Sequence, residues 1–341
     1  MKILFIGETS PESTSWHRAC ALRRLGHDVS AWNPGNFVPG QSRIPFFASL
    51  NVRTGFRLVA GTVASRMRKL LESEERDLVW VDCGPQIPPS FYRWLKLRGA
   101  PVVNYMTDNP FQKRDYRKWD LYRNSLALHD LTVLPREENV AQARKAGARN
   151  VMRVYFSYDP IAHAPTAGGV PAKKHDAIFV GSWMPERGPF ALAVLRAGLD
   201  LKIVGNDWPR SSEWPALKEH WLGPSVYGRS YVEAIESAHV AVGLLSKGNR
   251  DLHTTRSVEV PFIGSAAFCA ERTSEHMEMY REGVEAVYWE TPRECAAVCR
   301  QLLEDPAEPG RMAARAKARV LDLKLSNDEV LASILARAGE R

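Results

Sequence analysis

Residues 246–265, SKGNRDLHTTRSVEVPFIGS, gather cations (Lys247, Arg250, Arg256), hydroxyls (Thr254, Thr255), an imidazole (His253) and two carboxylates (Asp251, Glu259) directly after the apolar run VAVGLL. Cationic and hydroxyl donors suit the oxygens of a phosphate. The spacing predicts a strand that ends just before this stretch and a helix that starts near Thr255 or Arg256. A helix N-terminus there adds unpaired backbone N–H groups and a dipole favourable to an anion. Taken singly, Thr254 reads as a helix cap and Glu259 as a solvated helical carboxylate. Their concentration at a strand end selects the anion-binding reading.

Other chemistry-bearing residues stand where strands should end. Asp82 closes DLVWVD, Thr107 and Asp108 follow PVVNYM, and Gly181 and Ser182 follow AIFV. Asp108 is placed to orient or deprotonate a hydroxyl, although Asp-Asn-Pro is also good turn chemistry. His17, a few residues beyond the first strand's loop, is a further candidate base. Several site types are absent. The loops GETSPES and GSWMPERG lack the second glycine of a dinucleotide fingerprint, and neither a Walker A loop nor a G-x-S-x-G elbow occurs.

These residues need elements to hold them. MKILFIG reads as a strand, WHRACALRRLG as a helix stopped by Gly26, and HDVSAWN as a second strand, which together form a unit of parallel sheet with a right-handed crossover. DLVWVD, PVVNYMT, LTVLP and VMRVYFSYDP continue the strands. Residues 162–176, rich in Ala, Gly, Pro and Lys, read as a linker and one hinge of a domain closure. Afterwards AIFVGS, LDLKIVG and HVAVGLL alternate with the helices GPFALAVLRAG and SYVEAIESA. The expectation is α/β: two Rossmann-like parallel-sheet lobes facing a cleft, with boundaries at 1–161, 162–176, 177–325 and a C-terminal helix at 326–341 that returns to the first lobe. Ligands then collect at the carboxyl ends of strands.

Composition sets further bounds. At 341 residues the chain exceeds the usual size of one core, and 45% hydrophobic with 25% charged residues is globular usage. The apolar run of MKILFIG is too short for a signal peptide, and no later run approaches a membrane span. Five scattered cysteines show no zinc spacing, so a reducing cytoplasm and no structural metal are expected, with Cys295 and Cys299 one helical turn apart as ordinary helix residues. The net charge of +7 is uneven: residues 1–165 hold 24 Lys/Arg against 15 Asp/Glu, and the remainder 22 against 24. A basic first half suits an acidic or lipid-linked partner and leaves peripheral membrane contact open, while no nucleic-acid-binding signature accompanies it.

The order FVGSWMPERG, LKIVGNDW, YVEAIESAHVAVGLL and NRDLHTTRSVEVPFIGSAAFCAERTSEHMEMYREGVEAVYW resembles the nucleotide-sugar-binding lobe of GT-B glycosyltransferases, and within them the CgeB-like, spore-maturation-type group. The resemblance covers residues 177–303 and extends more thinly over the first lobe. It implies a GT-B fold, an acceptor-binding first lobe, a donor-binding second lobe and transfer of a sugar from a nucleoside diphosphate sugar to a hydroxyl acceptor. Retaining families carry an acidic residue and a glutamate with seven residues between them, here Asp251 and Glu259, toward hexose and ribose hydroxyls. Their glycine-arginine and later lysine become Gly181, Ser182 and Arg187, so one cation is replaced, and His253 is a candidate to assist the leaving phosphate. Lys247, Thr254, Thr255 and Arg256 complete the donor set. Thr107 and Asp108 stand where those families carry His-Asp, so the imidazole is missing and the carboxylate kept, with His17 and Asp82 also on the acceptor side. No Asp-x-Asp pair occurs, so the resemblance implies metal-independent transfer with no cofactor beyond the donor. A GT-B type nucleotide-sugar epimerase and a noncatalytic nucleotide-binding module with a basic interaction lobe are the alternatives. Donor base, sugar, acceptor, stereochemistry and oligomeric state stay open.

Overall fold

The alternation of apolar runs and helices produces two parallel sheets, each in its own compact unit. A computed structural model describes residues 1–38, 45–73, 75–115, 117–169 and 172–340. The first unit comprises Met1–Tyr155 with Asn327–Arg341, the second Phe156–Ser326. Two residues of the stretch read as a linker, 170 and 171, lie outside the described residues.

In the first unit β1 (Lys2–Ile6), α1 (Thr14–Arg24), β2 (Asp28–Trp32), α2 (Pro45–Arg53), α3 (Ala60–Leu71), β3 (Leu78–Asp82) and α4 (Pro89–Leu97) come first. Then follow β4 (Val102–Tyr105), α5 (Asp120–Arg123), β5 (Leu131–Leu134), α6 (Glu137–Lys145) and β6 (Val151–Arg153). The described strands pair in parallel in the order β2-β1-β3-β4-β5-β6. Every residue of β3 and β4 is buried. Helices cover both faces of such a sheet, so these strands read as unbroken apolar runs. The start of α1 is fixed by Ser13, whose hydroxyl accepts from the Trp16 N–H.

The second unit contains β7 (His175–Val180), α7 (Arg187–Arg196), β8 (Leu201–Val204), α8 (Trp214–Leu217), β9 (Trp221–Gly223), α9 (Gly228–Glu236) and β10 (Ala238–Gly243). It continues with α10 (Arg256–Ile263), β11 (Ala267–Glu271), α11 (Ser274–Met279), β12 (Ala286–Trp289), α12 (Pro292–Leu303) and α13 (Glu308–Asp322). Its order is β12-β11-β10-β7-β8-β9, again parallel. Strand order reverses between β7 and β10, and between β1 and β3 in the first unit. At such a switch point neighbouring loops diverge and open a crevice at the carboxyl edge. The final helix, α14 (Asn327–Gly339), packs on α1 in the first unit, where Asp328 takes both Nε and Nη2 of Arg24 at 2.9 and 2.7 Å.

Three expectations change. The strand expected at 151–160 is only Val151–Arg153. Strands β9, β11 and β12 escaped the sequence reading: β9 is three residues long, and β11 (AFCAE) begins with a small residue immediately after a helix and turn. Finally, residues 162–169 and 172–176 are fastened into the second unit rather than hanging as a linker. Glu236, almost wholly buried, accepts from Thr166 N–H at 2.7 Å and from its hydroxyl, while Lys173 Nζ donates to the Glu236 and Ser265 carbonyls at 2.9 and 2.6 Å. Ala, Gly and Pro give no periodicity, yet polar anchors placed far along the sequence hold this chain in place. Among the described residues no helix is long and apolar enough to cross a membrane.

Candidate active site

At the end of β7 the chain passes through Gly181, whose N–H donates to the Val204 carbonyl at 2.8 Å and whose carbonyl accepts from Trp208 Nε1 at 3.0 Å. A Cβ on Gly205, which has φ +157°, would fall 2.0 Å from that carbonyl, so glycine is required where the two strand ends meet. The Ser182 carbonyl then accepts from Arg187 Nη1 at 2.6 Å. Arg187 opens α7, is 9% exposed, lies over the Phe179 ring at 5.2 Å, and has no hydrogen-bond partner for its Nε. Burial lowers its pKa to about 10, with Arg256 pushing the same way and Glu186 and Asp251 opposing, so it stays cationic at neutral pH.

The loop after β10 presents the second set. Asn249 and Asp251 donate their N–H groups to the Ser246 carbonyl at 3.1 and 3.3 Å, and Arg250 turns the chain in a left-handed conformation with φ 54°. Lys247 is exposed and ion-paired to Glu271. Arg256, the first residue of α10, stacks over Tyr231 at 4.3 Å, points Nε at the Val180 carbonyl at 3.4 Å and clasps Glu259 Oε2. Arg187, Lys247 and Arg256 are therefore mounted on loops and helix ends at the carboxyl edge of one sheet. A cavity of about 340 Å³ is lined by Glu186, Arg187, Phe190, Leu244, Lys247 and Trp289 among others. The indole N–H of Trp289 also lacks a partner.

Two of the expected site residues are engaged by other side chains here. Glu259 is 1% exposed, with Oε2 held by Arg256 and Oε1 3.5 Å from His163 Nε2. Burial raises its pKa, but Arg256 and His163 outweigh burial and hold it below the usual carboxylate range. In this geometry Glu259 fixes the Arg256 guanidinium. His253 is 2% exposed; its Nε2 accepts from the Phe156 N–H at 2.9 Å, which places the ring proton on Nδ1, donated to Glu275. Both ring nitrogens being engaged, His253 anchors the loop.

A parallel arrangement backs the next turn. His276 Nδ1–H donates to the Glu271 carbonyl at 2.7 Å, so its Nε2 accepts from Ser257 Oγ–H at 2.8 Å, and Ser257 Oγ in turn accepts from the Thr254 N–H at 3.0 Å. Burial first, then His253, lowers the His276 pKa to about 3, keeping the ring neutral as this chain requires. Thr255 stands at the N-cap of α10 with no side-chain cap hydrogen bond, and the Ser257 hydroxyl instead braces the Thr254 N–H just before the helix. His163, Glu275, His276 and Ser257 were not singled out from sequence. Only the i, i+3 spacing of Arg256 and Glu259 carried a local signal.

The first unit divides its candidates differently. Asp82 takes Arg18 Nε and Nη2 on separate oxygens at 2.6 and 2.8 Å, with both side chains buried. This bidentate ion pair holds α1 to β3 and engages both Asp82 oxygens. His17 is 8% exposed and its Nε2–H donates to the Pro11 carbonyl at 3.2 Å, a loop contact. Asp108 keeps a partly exposed carboxylate whose Oδ2 lies 3.6 Å from Lys118 Nζ. Its turn is braced on both sides: the Thr107 carbonyl accepts from Arg136 Nη1 at 2.7 Å, and buried Asn109 Oδ1 accepts from Asn139 Nδ2 at 2.9 Å. Among the described residues one cluster has metal-ligating types within reach of each other, Cys269, Cys295 and Cys299. All three are 0% exposed in the apolar core of the second unit, which sequence spacing did not reveal because Cys269 comes from β11 and the others from α12.

The fold has counterparts among solved structures. Residues 187–336 match the model of a family described as glycosyl transferase-like. The chain has the GT-B glycosyltransferase fold: it superposes on a sucrose-phosphate synthase from Thermosynechococcus elongatus with a TM-score of 0.71 at 12% identity, covering 99% of this chain and 98% of that one. HepE from Anabaena, solved in complex with UDP-glucose, gives 0.61 at 14% identity over 99% and 100% of the two chains. The trehalose-6-phosphate synthase OtsA gives 0.65 at 12% over 100% and 99%. At these identities the likeness is one of fold. A search of curated proteins found no match.

Proposed function

We propose that this protein is a glycosyltransferase that moves a hexosyl group from a nucleoside diphosphate sugar to a hydroxyl acceptor. The observation that carries the reading is Arg187, a cation held in a nine-tenths buried position with an unpaired Nε at the carboxyl end of the second sheet. Buried donors are normally satisfied, and a diphosphate oxygen is the partner that this one suits. Arg256, Lys247 and the hydroxyls of Thr254 and Thr255 are assigned to the same diphosphate. Asp251, close enough to act on Arg187's titration, is assigned to the sugar hydroxyls. In this reading Lys247 exchanges Glu271 for phosphate, and the departing diphosphate is neutralised by side chains, so no divalent cation is required.

In the first unit Asp108 is the carboxylate assigned to the acceptor hydroxyl, to orient it and take its proton. Placement with the CgeB-like group rests on the order of motifs from FVGSWMPERG to the Asp251–Glu259 pair. The test is a thermal-shift screen of nucleoside diphosphates and their sugars, followed by transfer of labelled sugar in the presence of a chelator. A rise specific to one base, with label reaching an acceptor, supports the reading. No rise with any nucleotide overturns it, and labelled donor converted to an epimer without transfer replaces it with the epimerase.

A further inference from the structure

Residues 29–71 contain no Asp or Glu and six Lys or Arg, and a second basic stretch runs from Lys113 to Arg123. The fold brings parts of both stretches onto one surface of the first unit. Gly55 and Phe56 both take positive φ, 64° and 58°, turning the chain sharply between α2 and α3. A Cβ on Gly55 would meet the Arg117 carbonyl at 2.4 Å, so the turn lies directly against the backbone of the second basic stretch. Phe56 is buried with Ala60 and Leu121, which anchors the turn and leaves the next two residues, Arg57 and Leu58, facing outward.

The charge on this surface is cancelled only in part: Arg114 pairs with Asp115 at 3.2 Å and Lys118 with Asp108 at 3.6 Å, yet the cations outnumber the carboxylates. Asp120 accepts from Arg57, Arg117 and Arg123 at 3.0, 2.9 and 2.6 Å, three guanidiniums sharing one carboxylate. Arg114 and Arg117 are exposed, and Lys118 lies over Trp119 at 4.3 Å. Amid these cations Leu58 is 69% exposed. An aliphatic side chain standing out from a cationic rim fits an interface that is anionic at its surface and apolar beneath. A nucleic acid would use the cations, yet would gain nothing from Leu58.

We propose that the turn bearing Arg57 and Leu58, with Arg114, Arg117 and Lys118 beside it, is a docking surface for an anionic lipid bilayer. The proposal is independent of the transfer reaction. Cosedimentation of the full chain with phosphatidylcholine vesicles containing about one third phosphatidylglycerol, against phosphatidylcholine alone, tests it. The wild type partitions to the anionic vesicles and is released by salt. R57Q/R117Q lowers partitioning about thirtyfold, and L58S, which touches none of the ion pairs, lowers it about tenfold. Unchanged melting temperature and donor-induced shift in L58S show that its loss is not one of folding. No binding by the wild type overturns the proposal. So does binding to which Leu58 contributes nothing, the signature of a soluble polyanion such as nucleic acid.

Discussion

Arg187 Nη1 donates to the Ser182 carbonyl across 2.6 Å, spending one arm of a buried guanidinium on the backbone while its Nε is left without a partner. The ligand-free protein therefore carries the desolvation cost of this cation with little compensation. R187M is expected to stabilise the ligand-free protein by about 1–4 kcal/mol while abolishing the thermal shift with nucleotide. The pH dependence has a definite sign. Because the folded pKa is lowered to about 10, the penalty is fully present at neutral pH and is relieved as pH rises through that value. Urea unfolding of both proteins at neutral pH and above pH 10 should show the difference shrinking. A less stable R187M at neutral pH would mean that Arg187 is a structural cation.

Glu259 predicts the opposite trend. Its pair with Arg256 is buried on the carboxylate side while the guanidinium is about one third exposed, so E259Q loses a charge-assisted bond and should cost about 1.5–3 kcal/mol. The folded pKa lies below the unfolded one, so the stabilisation is present above the unfolded value, about 4.3, and is lost as pH falls through the folded value. Denaturation curves for wild type and E259Q should converge in acid. If Glu259 instead binds ribose alone, E259Q will leave stability unchanged and raise only the donor KM.

The sheets were legible because period and punctuation are local: Gly26 stops α1, and VAVGLL needs no partner to read as a strand. The site was half legible for the same reason. Cations and hydroxyls crowded between two apolar runs mark a strand-end loop, but their roles depend on residues far away in sequence. Arg18 and Asp82 are separated by 64 positions, and His253 and Glu275 by 22. No spacing rule announces such pairs, so Asp82 and His253 looked available when the fold engages them.

His253 gives a prediction of its own. As an anchor between the Phe156 N–H and Glu275, it should contribute to stability about 1–3 kcal/mol that H253A loses. Turnover should fall with donor KM raised, because the loop from Asp251 to Arg256 loosens. The shape of the pH–rate profile should stay as in the wild type. Loss of an acidic or basic limb in H253A would return the imidazole to the chemical step.

Asp108 and Asp82 stand at the ends of adjacent strands and separate the two fates of a strand-end carboxylate. D82N removes the partner of buried Arg18 and should destabilise the protein by about 3–5 kcal/mol. D108N removes a partly exposed group whose nearest cation, Lys118, is 3.6 Å away, and a pair of that kind contributes about 0–1 kcal/mol. Its melting temperature and donor-induced shift should therefore match the wild type, while sugar transfer falls about 10²–10⁴-fold. The same turnover in D108N as in the wild type would remove Asp108 from the mechanism. A slow D108N with normal stability and donor binding would assign it to the acceptor hydroxyl, because neither packing nor donor affinity is then left to explain the loss.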